Sequence, residues 1–219
     1  MGMCIIITPP ITYDYVDLGL PSGTKWATQN VGARKPSDFG LYFQWGDTQG
    51  YSADQVGIGD GLKKFANDWS DYKWYESGSK DSPNFTKYTI TEAALDLEDD
   101  AAHVNMGGDW HMPTPTQISE LISTANTISA WTTSDGVNGV TFTSTKDTSK
   151  SIFIPAAGSA QNGSVRYGGR NCNVWSSMLA KKTPLSREES GQYFSADQYS
   201  PNLRDYYRFC GYPVRGVIG

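Results

Sequence analysis

Histidine is scarce in this sequence: His103 and His111 are the two it contains. Nucleophilic triads and most zinc sites need imidazole, and neither histidine has a partner at ligand spacing, so both read as structural or surface residues. Cysteine is nearly as scarce. Cys4, Cys172 and Cys210 are odd in number and far apart, which argues against a disulfide framework and leaves free thiols or one bridge. No C-x-x-C pair suggests zinc, and no G-x-S-x-G suggests a nucleophile elbow. No apolar run approaches the roughly 20 residues of a membrane helix, so membrane insertion is not expected. The net charge of −5 does not suit nucleic acid or an anionic membrane. There is no internal repeat and no low-complexity tract.

What the chain has instead is aromatics and turn formers. Aromatic residues make up 13% of it, against a modest 38% hydrophobic, with 23 glycines and 11 prolines. That balance fits a loop-rich globular protein rather than a helix bundle or a disordered chain. A length of 219 residues allows one large domain or two small ones. Residues 1 to 14 begin with a short apolar run, Cys4 to Thr8, that makes a poor signal peptide and reads as an extension or first strand.

Along the chain, Tyr15 to Leu20 and Lys25 to Thr28 flank the turn signal Pro21-Ser22-Gly23 and predict a hairpin. Leu41 to Gly46 reads as a compact aromatic strand. Residues 46 to 90 read as a long loop with little regular structure, tied down by Trp69, Trp74 and Tyr75. A short helix is expected over Thr91 to Val104. A second follows at Pro115, where Thr114 can cap, Pro115 fits the first turn and Gln117 completes a capping box; it should run to about residue 125. Then come short strands at Trp131 to Thr133, Val140 to Thr143 and Ser151 to Ile154, with a turn at Asn138-Gly139. The pattern is α+β: a single domain over residues 15 to 219, with two helices, short antiparallel strands and much irregular loop.

Few residues suggest catalysis. Leu97-Glu98-Asp99-Asp100 lacks the alternating oxygens of an EF-hand loop and reads as a solvated helix N-terminus. Gly57-Ile58-Gly59-Asp60-Gly61 follows no strand and opens no helix, so it is not a phosphate cradle. The tail differs. From Tyr167 it carries Arg170, Asn171, Asn173, Tyr193, Asp197, Tyr199 and Asn202 in polar, Gly- and Ser-spaced surroundings. Then Leu203, Arg204, Asp205, Tyr206, Tyr207, Arg208, Phe209 and Cys210 stand side by side with no period of 2 or 3.6, before Tyr212 to Val217 resumes as a terminal strand. Tyr, Arg, Asn, Asp and Ser are the residues antibody loops use for rigid area and forked hydrogen bonds.

Several segments carry a resemblance. Val16-Asp17-Leu18-Gly19-Leu20-Pro21-Ser22-Gly23-Thr24-Lys25-Trp26-Ala27 and Gly40-Leu41-Tyr42-Phe43-Gln44-Trp45-Gly46 open the series. Gly107-Gly108-Asp109-Trp110-His111-Met112-Pro113-Thr114, Phe153-Ile154-Pro155-Ala156-Ala157-Gly158, Val174-Trp175-Ser176-Ser177 and Val214-Arg215 follow in order. Together they resemble the Fib-succ major paralogous domain family, a C-type-lectin-like group of gut bacteria and their phages, with His111 where Arg is usual. Where that family's tail commonly runs through asparagines, this chain has Leu, Arg, Asp, Tyr, Phe and Cys. Such a spectrum resembles the variable proteins of diversity-generating retroelements, in which adenines of Asn codons are randomised.

The resemblance implies a C-type-lectin-like fold, shared broadly with formylglycine-generating enzymes. It implies a non-catalytic receptor-binding protein, diversified over about residues 165 to 212, with no cofactor and no metal. The expected ligand-binding set is Tyr167, Arg170, Asn171, Asn173, Tyr193, Asp197, Tyr199, Asn202, Leu203, Arg204, Asp205, Tyr206, Tyr207, Cys210 and Tyr212. Trp26, Trp45, Trp110 and Trp175 become the aromatic framework, and Arg208 and Arg215 scaffold. The expected partner is a protein or glycan on a target cell surface, the expected place a phage tail fibre or a bacterial surface, with an oligomer allowed. A fixed adhesin or pilus-associated domain of the same family is the alternative. An enzyme of the formylglycine-generating kind would need Cys172 and Cys210 together. A Ca²⁺-dependent lectin would need an E-P-N or Q-P-D triplet, and Ser200-Pro201-Asn202 is not one.

Overall fold

A computed structural model describes residues 10–89, 93–181 and 189–219. Cys4 and the apolar run around it lie outside the described residues, as does the start of the helix expected from Thr91. The architecture is α+β, built from small antiparallel sheets, two short helices and much loop. Strands β1 (Tyr15–Asp17) and β2 (Lys25–Ala27) form the expected hairpin, with Val16 opposite Trp26. The aromatic strand β3 (Tyr42–Phe43) is shorter than expected but completely buried. The stretch from 46 to 90 is more ordered than its composition suggests. Within it β4 (Tyr75–Ser79) and β5 (Ser82–Phe85) make a hairpin around Lys80 and Asp81.

The acidic run at 97 to 100 is not a solvated helix start. A single 3₁₀ turn, Leu97–Asp99, precedes α1 (Ala101–Met106), and both Asp99 and Asp100 are buried. Asp100 accepts from the His103 amide at 2.9 Å, capping α1, and from the Met112 amide at 2.8 Å. Its side chain ties the helix to the following loop, so it sits inside rather than in solvent. Helix α2 (Pro115–Ile122) has the predicted capping box: Gln117 N donates to Thr114 Oγ1 and Thr114 N donates to Gln117 Oε1. It buries Ile118 and Leu121 and ends at Ser123.

Strands β6 (Thr127–Ser134), β7 (Val137–Ser144) and β8 (Ser151–Pro155) form a meander. Its first turn is Asp135-Gly136, both with positive φ, and not Asn138-Gly139, which lies inside β7. Both dipeptides carry the same turn signal, and the flanking apolar pattern selects the earlier one. Gly139 has another role: a Cβ there would strike the Ile154 carbonyl and the Phe153 ring of β8.

The remaining strands organise the tail. After β9 (Ser159–Gln161) and β10 (Ser164–Arg166), strands β11 (Cys172–Leu179), β12 (Ser190–Ala196) and β13 (Pro201–Tyr207) form a sheet with β12 in the centre. The run that begins at Asn202, which shows no period by hydrophobicity, is therefore largely a strand. The terminal strand is split. Strand β14 (Tyr212–Pro213) pairs with β3, and β15 (Val217–Ile218) pairs with β2 at that sheet's edge.

Two large core clusters result. One gathers α2, the meander and one face of the β11–β13 sheet around Trp26, Phe142 and Phe194. The other surrounds Trp45, Trp69, Trp175 and Phe209. Trp26, Trp45 and Trp175 are fully buried as expected, whereas Trp110 is half-buried. The indole N–H of Trp45 donates to the Ser176 carbonyl at 2.9 Å, and that of Trp175 to the Phe43 carbonyl at 2.8 Å.

Both scaffold arginines are completely buried. Arg215 donates to Asn30 Oδ1 at 2.8 Å, to the Ala27 carbonyl at 3.0 Å and to the Phe153 carbonyl at 3.1 Å. One guanidinium thereby joins the β2 hairpin, the Asn30 loop and β8. Arg208 lies over the Phe85 ring at 3.7 Å and donates to the Tyr88 carbonyl. Burying a charge this deeply is tolerated because fixed dipoles and ring faces replace its water.

Candidate binding face

Strand register divides the tail in two. Side chains alternate across a strand, and residues directly opposite in an antiparallel pair share a face. Asn173 lies opposite Ser195, and Ser195 opposite Asn202. In the next row Trp175, Tyr193 and Arg204 are opposite one another, and beyond them Gly191 faces Tyr206. These rows form one face. The other face carries Cys172, Val174, Phe194, Ala196 and Leu203, all packed into the core beneath.

The first face is concave. A hollow of about 450 Å³ is lined by Asn173, Tyr193, Arg204, Tyr206 and Tyr212, together with Tyr167, Asn171 and Asp197 from the flanking loops. A second hollow, of about 530 Å³, shares Asn171 and Asp197 with the first and adds Arg170, Tyr199 and Trp131. The two make one trough.

Its floor is rigid. Trp175 packs against Tyr212 with ring centroids 4.4 Å apart, Tyr212 against Tyr193 at 4.7 Å, and Tyr206 lies 6.3 Å from Tyr212. Gly191 lets this layer sit close, since a Cβ there would come within 2.8 Å of Trp45 and 3.2 Å of Trp175. Burial pushes the hydroxyls of Tyr193, Tyr206 and Tyr212 above their ordinary pKa of 10.0, so they stay protonated near neutral pH and can donate.

The walls are turns. The carbonyl of Tyr167 accepts from the amides of Arg170 at 3.0 Å and Asn171 at 3.1 Å, and Tyr167 itself has φ 59°. Asp197 Oδ1 accepts from the amides of Tyr199 at 2.8 Å and Ser200 at 3.2 Å. Tyr167 and Tyr199 project from these turns, 61% and 84% exposed.

The remaining residues of the expected set do not line the trough. Asn202 is at its rim, on the same face, donating to Ser200 Oγ at 3.0 Å. Asp205 is exposed on the opposite face, across from Gln192. Leu203 packs into the core. Tyr207 stacks on Phe209 at 4.9 Å and meets Trp69 edge-on. Cys210 is fully buried, with Gln161 Nε2 3.0 Å from its sulfur. Reasoning from composition also missed Ser159, Gln161 and Ser195, which line the first hollow. Ser195 was recoverable, being two residues from Tyr193 on the same strand face; Ser159 and Gln161 had no signal.

Cys172 and Cys210 are free and buried, and they belong to different core clusters. Burial pushes both thiols up, Cys172 to about 12, so neither is a thiolate at neutral pH. The carboxylates of Asp96, Glu98 and Asp99 converge as metal ligands could. The Lys87 ammonium already sits among them, at 2.7, 3.1 and 2.6 Å respectively. Burial raises the Asp99 pKa, but hydrogen bonds from Lys87, Tyr88 and Lys73 outweigh it and hold the carboxyl below its ordinary value. His103 and His111 each place Nδ1 3.1 Å from a nearby carbonyl, of Trp110 and Asp109 respectively. No helix among the described residues is long and apolar enough to cross a membrane. No family model matches the chain, and no curated protein and no solved structure matches it.

Proposed function

We propose that this chain is a non-catalytic receptor-binding protein of C-type-lectin-like fold whose trough is the recognition surface, diversified by a retroelement. The observation that carries this reading is convergence. Tyr167, Asn171, Asn173, Tyr193, Asp197, Arg204 and Tyr206 were singled out from composition, and Tyr212 by the resemblance; they come from separate segments of the tail. They line one concavity. Rigid aromatics on strands lose little entropy on binding, and Arg and Asn at the walls supply directional hydrogen bonds. The sequence resemblance supplies the setting: a phage tail fibre or a bacterial surface, with a protein or glycan of a target cell as ligand.

The test is deep sequencing of the gene's 3′ end across its source population, with the neighbouring DNA. Substitutions should concentrate at codons for trough residues such as Arg170, Asn171, Arg204 and Tyr206, beside a near-copy of the segment that carries adenines there. Codons for Leu203, Tyr207 and Cys210 should vary less, because their side chains are packed. An invariant tail with no template copy would leave a fixed adhesin-like domain and sink diversification.

A further inference from the structure

Resting on the trough being a binding surface, we infer that the ligand of this particular tail is an acidic saccharide, its anionic groups held by Arg204 and Arg170. Three observations support this.

Among the described residues, none that lines the trough has an aliphatic side chain: the walls are tyrosine, tryptophan, amide, hydroxyl and charged groups. A protein partner could use the same rings and forks, so aliphatic anchors are what this lining disfavours, and acidic peptides belong in the test. A sugar needs what is present: aromatic rings to cover its C–H faces, and amides and hydroxyls to pair its hydroxyl groups.

The charges are also uncommitted. Arg170 and Arg204 are exposed and make no ion pair or side-chain hydrogen bond among the described residues. Each lines one hollow of the trough, with Asp197 between. A guanidinium fork matches a carboxylate or sulfate in a bidentate pair. The trough thus carries a local positive excess on a chain whose net charge is −5.

The third observation concerns Asp197. Its Oδ1 accepts from two backbone amides, and the residue lines both hollows. A carboxylate there accepts from sugar hydroxyls and repels an anion at the centre. The expected ligand therefore carries anionic groups apart, over the arginines, with neutral hydroxyls between.

The test is a glycan array bearing carboxylated saccharides (uronic and sialic acids), sulfated saccharides and their neutral parents, beside acidic peptides of equal charge. Binding should be confined to acidic saccharides, with the carboxylated and sulfated arms showing which anion is held. Arg204→Ser and Arg170→Ser should each weaken it by about tenfold, with Arg204→Lys recovering only part, since Lys keeps the charge but not the fork. Raising salt should weaken it further. Circular dichroism guards the variants, whose side chains are exposed. Equal binding to neutral parents, stronger binding to acidic peptides, indifference to both Arg variants, or silence toward every acidic saccharide overturns the inference. It fails separately from the binding-face reading. A silent array with codon variation at the trough leaves the face intact; an acidic saccharide bound by an invariant tail supports both the face and the inference and sinks diversification alone.

Discussion

Leu203 and Arg204 are adjacent on β13 and face opposite ways. Leu203 lies over Phe194 and packs into the core; Arg204 lies over Tyr193 and opens onto the trough. The same contrast runs across the sheet, with Val174 against Asn173 and Phe194 against Ser195. A tail that looks like one sticky patch is thus two surfaces interleaved residue by residue. Half of it is packed beneath the sheet and carries the other half on the open face.

The contrast breaks most severely at its anchor. Arg215→Leu removes the guanidinium that joins the β2 hairpin, the Asn30 loop and β8, taking the donor from two buried acceptors and one part-buried acceptor. A loss of about 4 kcal/mol or more is expected. Chemical denaturation should show a variant unfolded or close to it; a loss below about 1 kcal/mol would mean that the buried network is not needed. A paired experiment sharpens the comparison itself. Leu203→Ala should cost about 2 kcal/mol of stability, because a core contact is lost, and Arg204→Ala less than about 0.5 kcal/mol. Equal costs would contradict the register.

The smallest effect near neutral pH concerns the thiols. Both cysteines have pKa values raised by burial from an ordinary 9.0, Cys172 to about 12. The folded protein therefore holds their protons where the unfolded chain releases them. The stability they contribute is complete below pH 9 and declines as pH rises from 9 toward 12. Native protein at pH 8 should leave Cys172 and Cys210 unlabelled by a thiol reagent, with labelling appearing on unfolding; rapid labelling of the native protein would contradict their burial.

Local chemistry was legible where one residue type has one job. Thr114 and Gln117 announced α2, and Pro21-Ser22-Gly23 announced the β1–β2 turn, because caps and turns are set by neighbouring residues. The 75–85 hairpin was hidden by glycine, serine and proline in strands too polar to show alternation. Asp99 and Asp100 were misjudged because charge suggests solvent, whereas Asp99 meets lysines distant in sequence and Asp100 bonds a backbone amide beyond its own helix. In the tail, Asn202, Arg204 and Tyr206 do alternate with Leu203, Asp205 and Tyr207. Hydrophobicity could not show it, since each face mixes polar and apolar groups. The trough was legible in its residue types, but its membership depends on pairing between strands, which no single stretch contains.

The pairing of β14 with β3 and of β15 with β2 bears on the order of events during synthesis. Strands formed from residues near 26 and 43 wait for partners near 212 and 217, so the core cannot close until most of the chain has left the ribosome. The trough shares that dependence, since Tyr212 of β14 is part of its floor. A tail whose alternate residues cannot pack as β13 fails at the same step that completes the core. Folding is then sensitive to the tail: a change that spoils its packed half also spoils the core that the tail completes.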